Sequence, residues 1–245
     1  MVTVKGDYIW IIGIVLLLFG CGSGKLAFPQ IAATNISTEA SAATSHDISL
    51  PASISAGDLL IVFIATDGSN TFSWPEGWTE LCESNILHVS MAVAYRAADG
   101  NEGATVVSTS TNSEKSSHAA YRITGYDGVQ EVSAVATGQS TAPNPASLTP
   151  SWGSADTLWI AVAAYDATSF TMGYPYADNN LWQKTMGGGT GDCGIAVCSD
   201  ELTQVSADPG AFTLNASEQW SAYTIAVSPI LESRKKQRAL SIVLY

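Results

Sequence analysis

Leu59-Leu60-Ile61-Val62-Phe63-Ile64-Ala65, closed by Asp67-Gly68-Ser69-Asn70, decides the class of this chain. A short unbroken apolar run, rich in β-branched residues and ended by turn formers, predicts a strand covered on both faces. The segments around it read the same way. His88 to Arg96 (HVSMAVAYR) ends at Asp99-Gly100-Asn101, and Ser117 to Thr124 (SHAAYRIT) runs into Gly125-Tyr126-Asp127-Gly128. Between them, Ala104 to Thr111 alternates Val with Thr and Ser, the pattern of a half-exposed strand. From Phe28 onward turn signals recur at spacings of roughly 8 to 15 residues with no long amphipathic helix between them, which predicts a sandwich or barrel.

The second half of the chain repeats the order. Asp156 to Ala164 (DTLWIAVAA) answers Asp58 to Ala65, each an aspartate followed by an apolar run. Tyr174-Pro175 and Trp182 answer Trp74-Pro75 and Trp78, Gly194 to Ser199 answers the strand around Met91, and Ala211 to Asn215 answers the strand around Val106. Ser217 to Ser228 (SEQWSAYTIAVS) aligns with Ser113 to Thr124 (SEKSSHAAYRIT). This is the signature of an internal duplication of about 100 residues. The expected fold is all-β: a jelly-roll-like β-sandwich of about eight to ten strands, built from two duplicated halves that share one core, neither closing a sheet by itself. Residues 26–140 form the first half and 151–230 the second, with the Pro-rich stretch 141–150 (TAPNPASLTP) crossing between them.

The chain has 245 residues, 22 of them acidic and 10 basic, for a formal charge of −12. From Leu26 to Ser233 only Arg96, Lys115, Arg122 and Lys184 oppose 21 acidic side chains, a net of −17. Such a body excludes ordinary electrostatic binding of nucleic acid. Hydrophobic residues make up 46% and charged ones 13%, so a real core is well supplied and the surface falls to Ser, Thr, Asn and Gly.

Residues 1–25 differ from the body. Tyr8 to Phe19 (YIWIIGIVLLLF) is shorter than the roughly 20 apolar residues of a membrane-spanning helix and has the proportions of a signal-peptide core. Leu18-Phe19-Gly20-Cys21 resembles a bacterial lipobox, which would make Cys21 a lipidation site and the only membrane link. An uncleaved anchor, or a natural beginning near Lys25, are the other readings. Residues 231–245 form a tail that is basic (Arg234 to Arg238) and then apolar.

No catalytic constellation emerges. His46, His88 and His118 show no metal-ligand spacing, so neither a metal nor another cofactor is expected. Glu76, Glu80 and Glu83 crowd one loop, but they read as solvated acids around a Pro-Glu-Gly-Trp turn. Asp67, Asn70, Asp99, Asn101 and Glu102 lack the spaced acidic run of a calcium loop and read as turn formers. Gly187-Gly188-Gly189-Thr190-Gly191 precedes a strand and lacks the Lys of a phosphate loop. Cys193 and Cys198 point to opposite faces of one strand, and Cys82 is the remaining thiol of the body. Trp159 and Trp220 read as core. Trp74, Trp78 and Trp182 read as loop aromatics able to stack on sugar rings. Arg96 and Arg122 are expected to pair with carboxylates and fix strand register.

The order Gly57-Asp58-Leu59-Leu60-Ile61, Trp74-Pro75-Glu76-Gly77-Trp78-Thr79, Ala94-Tyr95-Arg96-Ala97-Ala98-Asp99-Gly100 and Ala120-Tyr121-Arg122-Ile123-Thr124-Gly125 resembles a family of β-rich virion structural proteins of tailed bacteriophages and prophages, often called tail-fibre-like or head-decoration proteins. The resemblance covers roughly Pro29 to Pro229. It implies a non-enzymatic structural or adhesive module at a virion surface or otherwise extracellular. Its partners would be copies of itself, other virion proteins and host glycan. The alternative expectation is an outer-membrane lipoprotein that binds carbohydrate.

Overall fold

The computed structural model describes residues 27–166, 171–185 and 191–230. Cys21 with its lipobox-like segment, Gly187 to Thr190 and the tail from residue 231 lie outside the described residues.

The first half supplies β1 (Gln30–Ser49), β2 (Leu59–Asp67), β3 (Phe72–Ser73), β4 (Thr79–Asn85), β5 (Val89–Ala97) and β6 (Thr105–Thr124). The second supplies β7 (Tyr126–Val132), β8 (Ala136–Ser140), β9 (Ala155–Asp166), β10 (Thr171–Gly173), β11 (Asp178–Lys184), β12 (Cys193–Gln204), β13 (Thr213–Leu214) and β14 (Glu218–Pro229). All pairings are antiparallel. One sheet runs β1-β6-β2-β5-β4 with β3 beside β6, and the other runs β7-β14-β9-β12-β11 with β8 also on β14. The two orders are the same order. Registers agree as well: Leu59 faces Ile123 and Phe63 faces Val93 in the first sheet, as Leu158 faces Val227 and Val162 faces Val197 in the second.

The sheets pack face to face. Leu59, Ile61, Phe63, Met91, Val93, Tyr121 and Ile123 meet Leu158, Ile160, Val162, Ile195, Val197, Tyr223 and Ile225 in one core. Two tyrosines clasp this contact reciprocally: Tyr121 donates its hydroxyl to the carbonyl of Asn179 on β11, and Tyr223 donates to that of Glu83 on β4, each at 2.6 Å. Lys115 adds a cross-sheet ion pair to Asp192 at 2.6 Å.

Each sheet also has a covered outer face, which explains why Leu59–Ala65 of β2 and Leu158–Ala164 of β9 are unbroken apolar runs. The β1–β6 ladder slips register between Glu39 and Ser45, and its distal part folds back with β3 so that Ile48, Phe72 and Val106 cover Leu60, Val62 and Ile64. In the second half residues 141–148 pair with 207–214, through Leu214 N to Thr141 O, Phe212 N to Pro143 O and the Leu148–Ala207 bridge. That flap covers Trp159, Ala161 and Ala163. β10 lies against β13 as β3 lies against β6.

The β-sandwich with a shared core is the expected class, and three details differ from expectation. Fourteen strands lie among the described residues instead of eight to ten, because the short β3 and β8 add to the two large sheets and β10 and β13 form a two-stranded sheet of their own. Each half completes its own sheet, whereas a jelly roll shares its strands between both sheets. The chain passes between sheets at Gly125, held at φ 73° between β6 and β7, while 141–150 belongs to the second flap. One glycine in a left-handed conformation suffices for that turn.

In β8, Gly138 lies under the indole of Trp220, whose Cζ2 would sit 2.6 Å from an added Cβ. Gly138→Ala is therefore expected to destabilise the protein by roughly 1–3 kcal/mol through overpacking. A lowered denaturant midpoint checks this, and an unchanged midpoint contradicts it.

Candidate functional site

The duplicated register allows the two outer compartments to be compared residue by residue. In the second sheet Ala136 faces Ala222 and Gly138 faces Trp220, with Phe212 and Leu214 above them. In the first sheet the corresponding pairs are Ser37 with His118 and Glu39 with Ser116, and His46 lies opposite Ser108 on the flap. One compartment is filled by an indole. The other holds two imidazoles, a carboxylate and several hydroxyls at the bend of the β1–β6 ladder.

His46 and His118 are both 0% exposed, and the Glu39 side chain, at 23%, forms the rim. Their rings meet edge to face with centroids 6.4 Å apart. Glu39 Oε2 lies 2.9 Å from His46 Nδ1 and 3.3 Å from Ser116 Oγ, while Glu39 Oε1 accepts the backbone N–H of Asp47 at 2.7 Å. The second nitrogen of His46 contacts Ser110 Oγ at 2.8 Å, and Ser110 donates to the carbonyl of Asn112 at 2.7 Å. His118 contacts Ser37 Oγ through Nδ1 at 2.9 Å and Ser116 Oγ through Nε2 at 2.8 Å. Burial, together with the neighbouring His46, lowers the pKa of His118 to about 3, so its ring is neutral at ordinary pH. One donor atom from each of Glu39, His46 and His118 lies within 4.8 Å of the other two. His88, in contrast, is exposed in the bend just before β5.

The tryptophans named from sequence do not converge. Trp74 and Trp78 stack with ring centroids 6.5 Å apart and an interplanar angle of 28°, half-buried against the first outer compartment. The turn between them closes through Trp78 N to Pro75 O at 3.2 Å, and Trp74 Nε1 donates to Glu80 Oε2 at 3.1 Å. Trp182 is a strand residue of β11, not a loop residue, and lies across the sandwich against the second compartment, donating its indole N–H to the hydroxyl of Tyr165. Trp159 and Trp220 are buried.

Other polar side chains are committed to the frame. Glu83 accepts the N–H of Phe72 at 2.8 Å, and burial raises its pKa. Arg96 reaches Asp99 at 2.6 Å and Glu102 at 3.3 Å, bracing the turn after β5. Arg122 on β6 reaches Asp58 at 3.0 Å, and the same Asp58 oxygen accepts the N–H of Ser55 at 2.9 Å. Asn70 is fully buried and bonds Ser90, Thr66 and Asn112, shaping the turn after β2. Cys82, Cys193 and Cys198 are free thiols; Cys193 points into the shared core and Cys198 into the outer compartment.

Sequence spacing missed the histidine pair, because its members lie on different strands brought together by the ladder. A signal was present in the duplication itself: the alignment of Ser113–Thr124 with Ser217–Ser228 sets Ser116 against Trp220 and His118 against Ala222, placing polar groups where the fold accepts apolar ones.

Comparison with protein-family models, curated proteins and solved structures finds no match to this chain. The geometry alone sets two expectations. Arg122→Gln is expected to cost roughly 1–3 kcal/mol, between the exposed and buried limits for an ion pair; a denaturation midpoint equal to wild type would contradict a structural role. Burial pushes the Cys193 and Cys198 thiols up to about 12. Both are therefore expected to resist alkylation in the native protein at mildly alkaline pH and to react once it is unfolded; peptide mapping that finds either labelled in the native state contradicts their burial.

Proposed function

We propose that this protein is a non-enzymatic structural and adhesive β-sandwich of a tailed-bacteriophage particle surface, a fibre or decoration component that associates with copies of itself and touches host glycan. The observation that carries the adhesive part is the Trp74–Trp78 pair, two near-parallel indoles on a braced turn, half-exposed beside the acidic rim of Glu76 and Glu80. Sugar rings stack on such surfaces through their apolar faces while their hydroxyls meet nearby carboxylates. The resemblance of the motif order to that of β-rich virion proteins is what favours the particle location. Leu87, Met172 and Val205, exposed large apolar side chains, supply surface that self-association would bury.

Two measurements test this reading. Recovered from its natural source, the protein is expected to sediment with phage particles; recovery from membranes with a lipidated Cys21 would instead favour an outer-membrane lipoprotein that binds carbohydrate. In a titration with host-surface polysaccharide followed by tryptophan fluorescence, Trp78→Ala is expected to weaken binding roughly tenfold, the loss of one stacking contact worth about 1.4 kcal/mol. Trp182→Ala is expected to leave binding unchanged, and wild-type binding by the Trp78 variant would contradict the assignment.

A further inference from the structure

We propose that Glu39, His46 and His118 form a binding site for a zinc-class divalent ion, which pins the bend of the β1–β6 ladder to the first sheet. The argument begins with the duplicated frame. The second sheet closes the same compartment with Trp220, Ala222 and Leu214, so the fold itself does not require two imidazoles and a carboxylate there. Burying them costs desolvation unless every donor and acceptor is used.

Counting protons shows where an ion fits. Ser110 donates its single hydroxyl proton to Asn112 O, so His46 Nε2 must be the donor to Ser110 Oγ. His46 Nδ1 then faces Glu39 Oε2, at 2.9 Å, either as a second N–H or as a bare lone pair. A divalent ion drawn in between these two atoms would take the place that a proton otherwise fills.

The surroundings match what a metal-bound histidine uses. His46 would bind through Nδ1 with its other nitrogen held by Ser110; His118 would bind through Nε2 in the tautomer that donates Nδ1–H to Ser37 Oγ, its proton moving from the nitrogen that faces Ser116 in the metal-free network. Glu39 is already oriented through its other oxygen by Asp47 N. Outer partners of this kind fix ring orientation at metal sites. Ser116 Oγ, between His118 Nε2 and Glu39 Oε2, or a water in its place, would complete four-coordination. Ligand atoms around a tetrahedral zinc stand about 3.3–3.6 Å apart, given bonds of about 2.0–2.2 Å. The three donors, all within 4.8 Å of one another, reach that spacing by side-chain adjustment. Two imidazoles with one carboxylate select zinc and its neighbours over calcium or magnesium, which take oxygen ligands.

The test uses the full chain stripped by a chelator and titrated with zinc by calorimetry, with metal retained after gel filtration counted by mass spectrometry. One ion per chain and a raised unfolding temperature are expected. Glu39→Gln is expected to lower affinity at least about tenfold, and Ser110→Ala, which removes only an outer partner, by roughly tenfold to a hundredfold. His118→Ala, which repeats the side chain of Ala222 at the equivalent place in the second sheet, is expected to abolish uptake, and His88→Ala, at an exposed site, to leave it unchanged. Should His118→Ala fail to fold, wild-type stoichiometry and the partly exposed Glu39→Gln change decide the matter. No retained zinc, or retention unaffected by Glu39→Gln, overturns the proposal.

Discussion

Everything in this structure rests on the contact between the inward faces of the two sheets. Phe63, Tyr121, Ile61 and Met91 on one side and Ile160, Val162, Ile195 and Tyr223 on the other are withdrawn from water together. Each large side chain so buried contributes about 1.5–3 kcal/mol. The contact is directional as well as apolar, because Tyr121 and Tyr223 each end on a backbone carbonyl of the opposite sheet's edge strand. A slide of one sheet over the other would leave both hydroxyls buried and unpaired, a penalty that fixes the alignment.

With the inner faces carrying the frame, the outer faces are free to differ. Both are closed by a flap, made by the distal part of β1 and β6 with β3 in the first half and by residues 141–148 paired with 207–214 in the second, but the chemistry beneath diverges. The second compartment closes in the usual way, with Trp220 over Gly138. The first is lined with hydroxyls, two imidazoles and a rim carboxylate, and the stacked Trp74 and Trp78 pack against its apolar cluster. The features that stand out chemically therefore lie on the first half, whereas the second half serves mainly as its packing partner.

The class of fold was legible because Leu59–Ala65 and Leu158–Ala164 are unbroken apolar runs, and the duplication because Ser113–Thr124 and Ser217–Ser228 both begin Ser-Glu and carry Ala-Tyr in the middle. The sheet order was not, since pairing in an antiparallel sheet is set by contacts between segments far apart in the chain. A Pro-rich stretch looks like a passage between halves, yet Pro143 serves the second flap by accepting Phe212 N, and the real passage needs only Gly125. His46 and His118 escaped notice for the same reason as the sheet order: each looks isolated locally, and only the folded ladder brings them together beside Glu39.

The most direct test of the shared core is to produce residues 27–125 and 126–230 as separate chains and follow unfolding of each alone and of the two together. Neither alone is expected to show a cooperative transition, since each would expose its inward apolar face, while co-expression is expected to yield a one-to-one complex that unfolds as one unit. Cooperative unfolding of either half by itself would contradict the dependence of both sheets on their mutual contact.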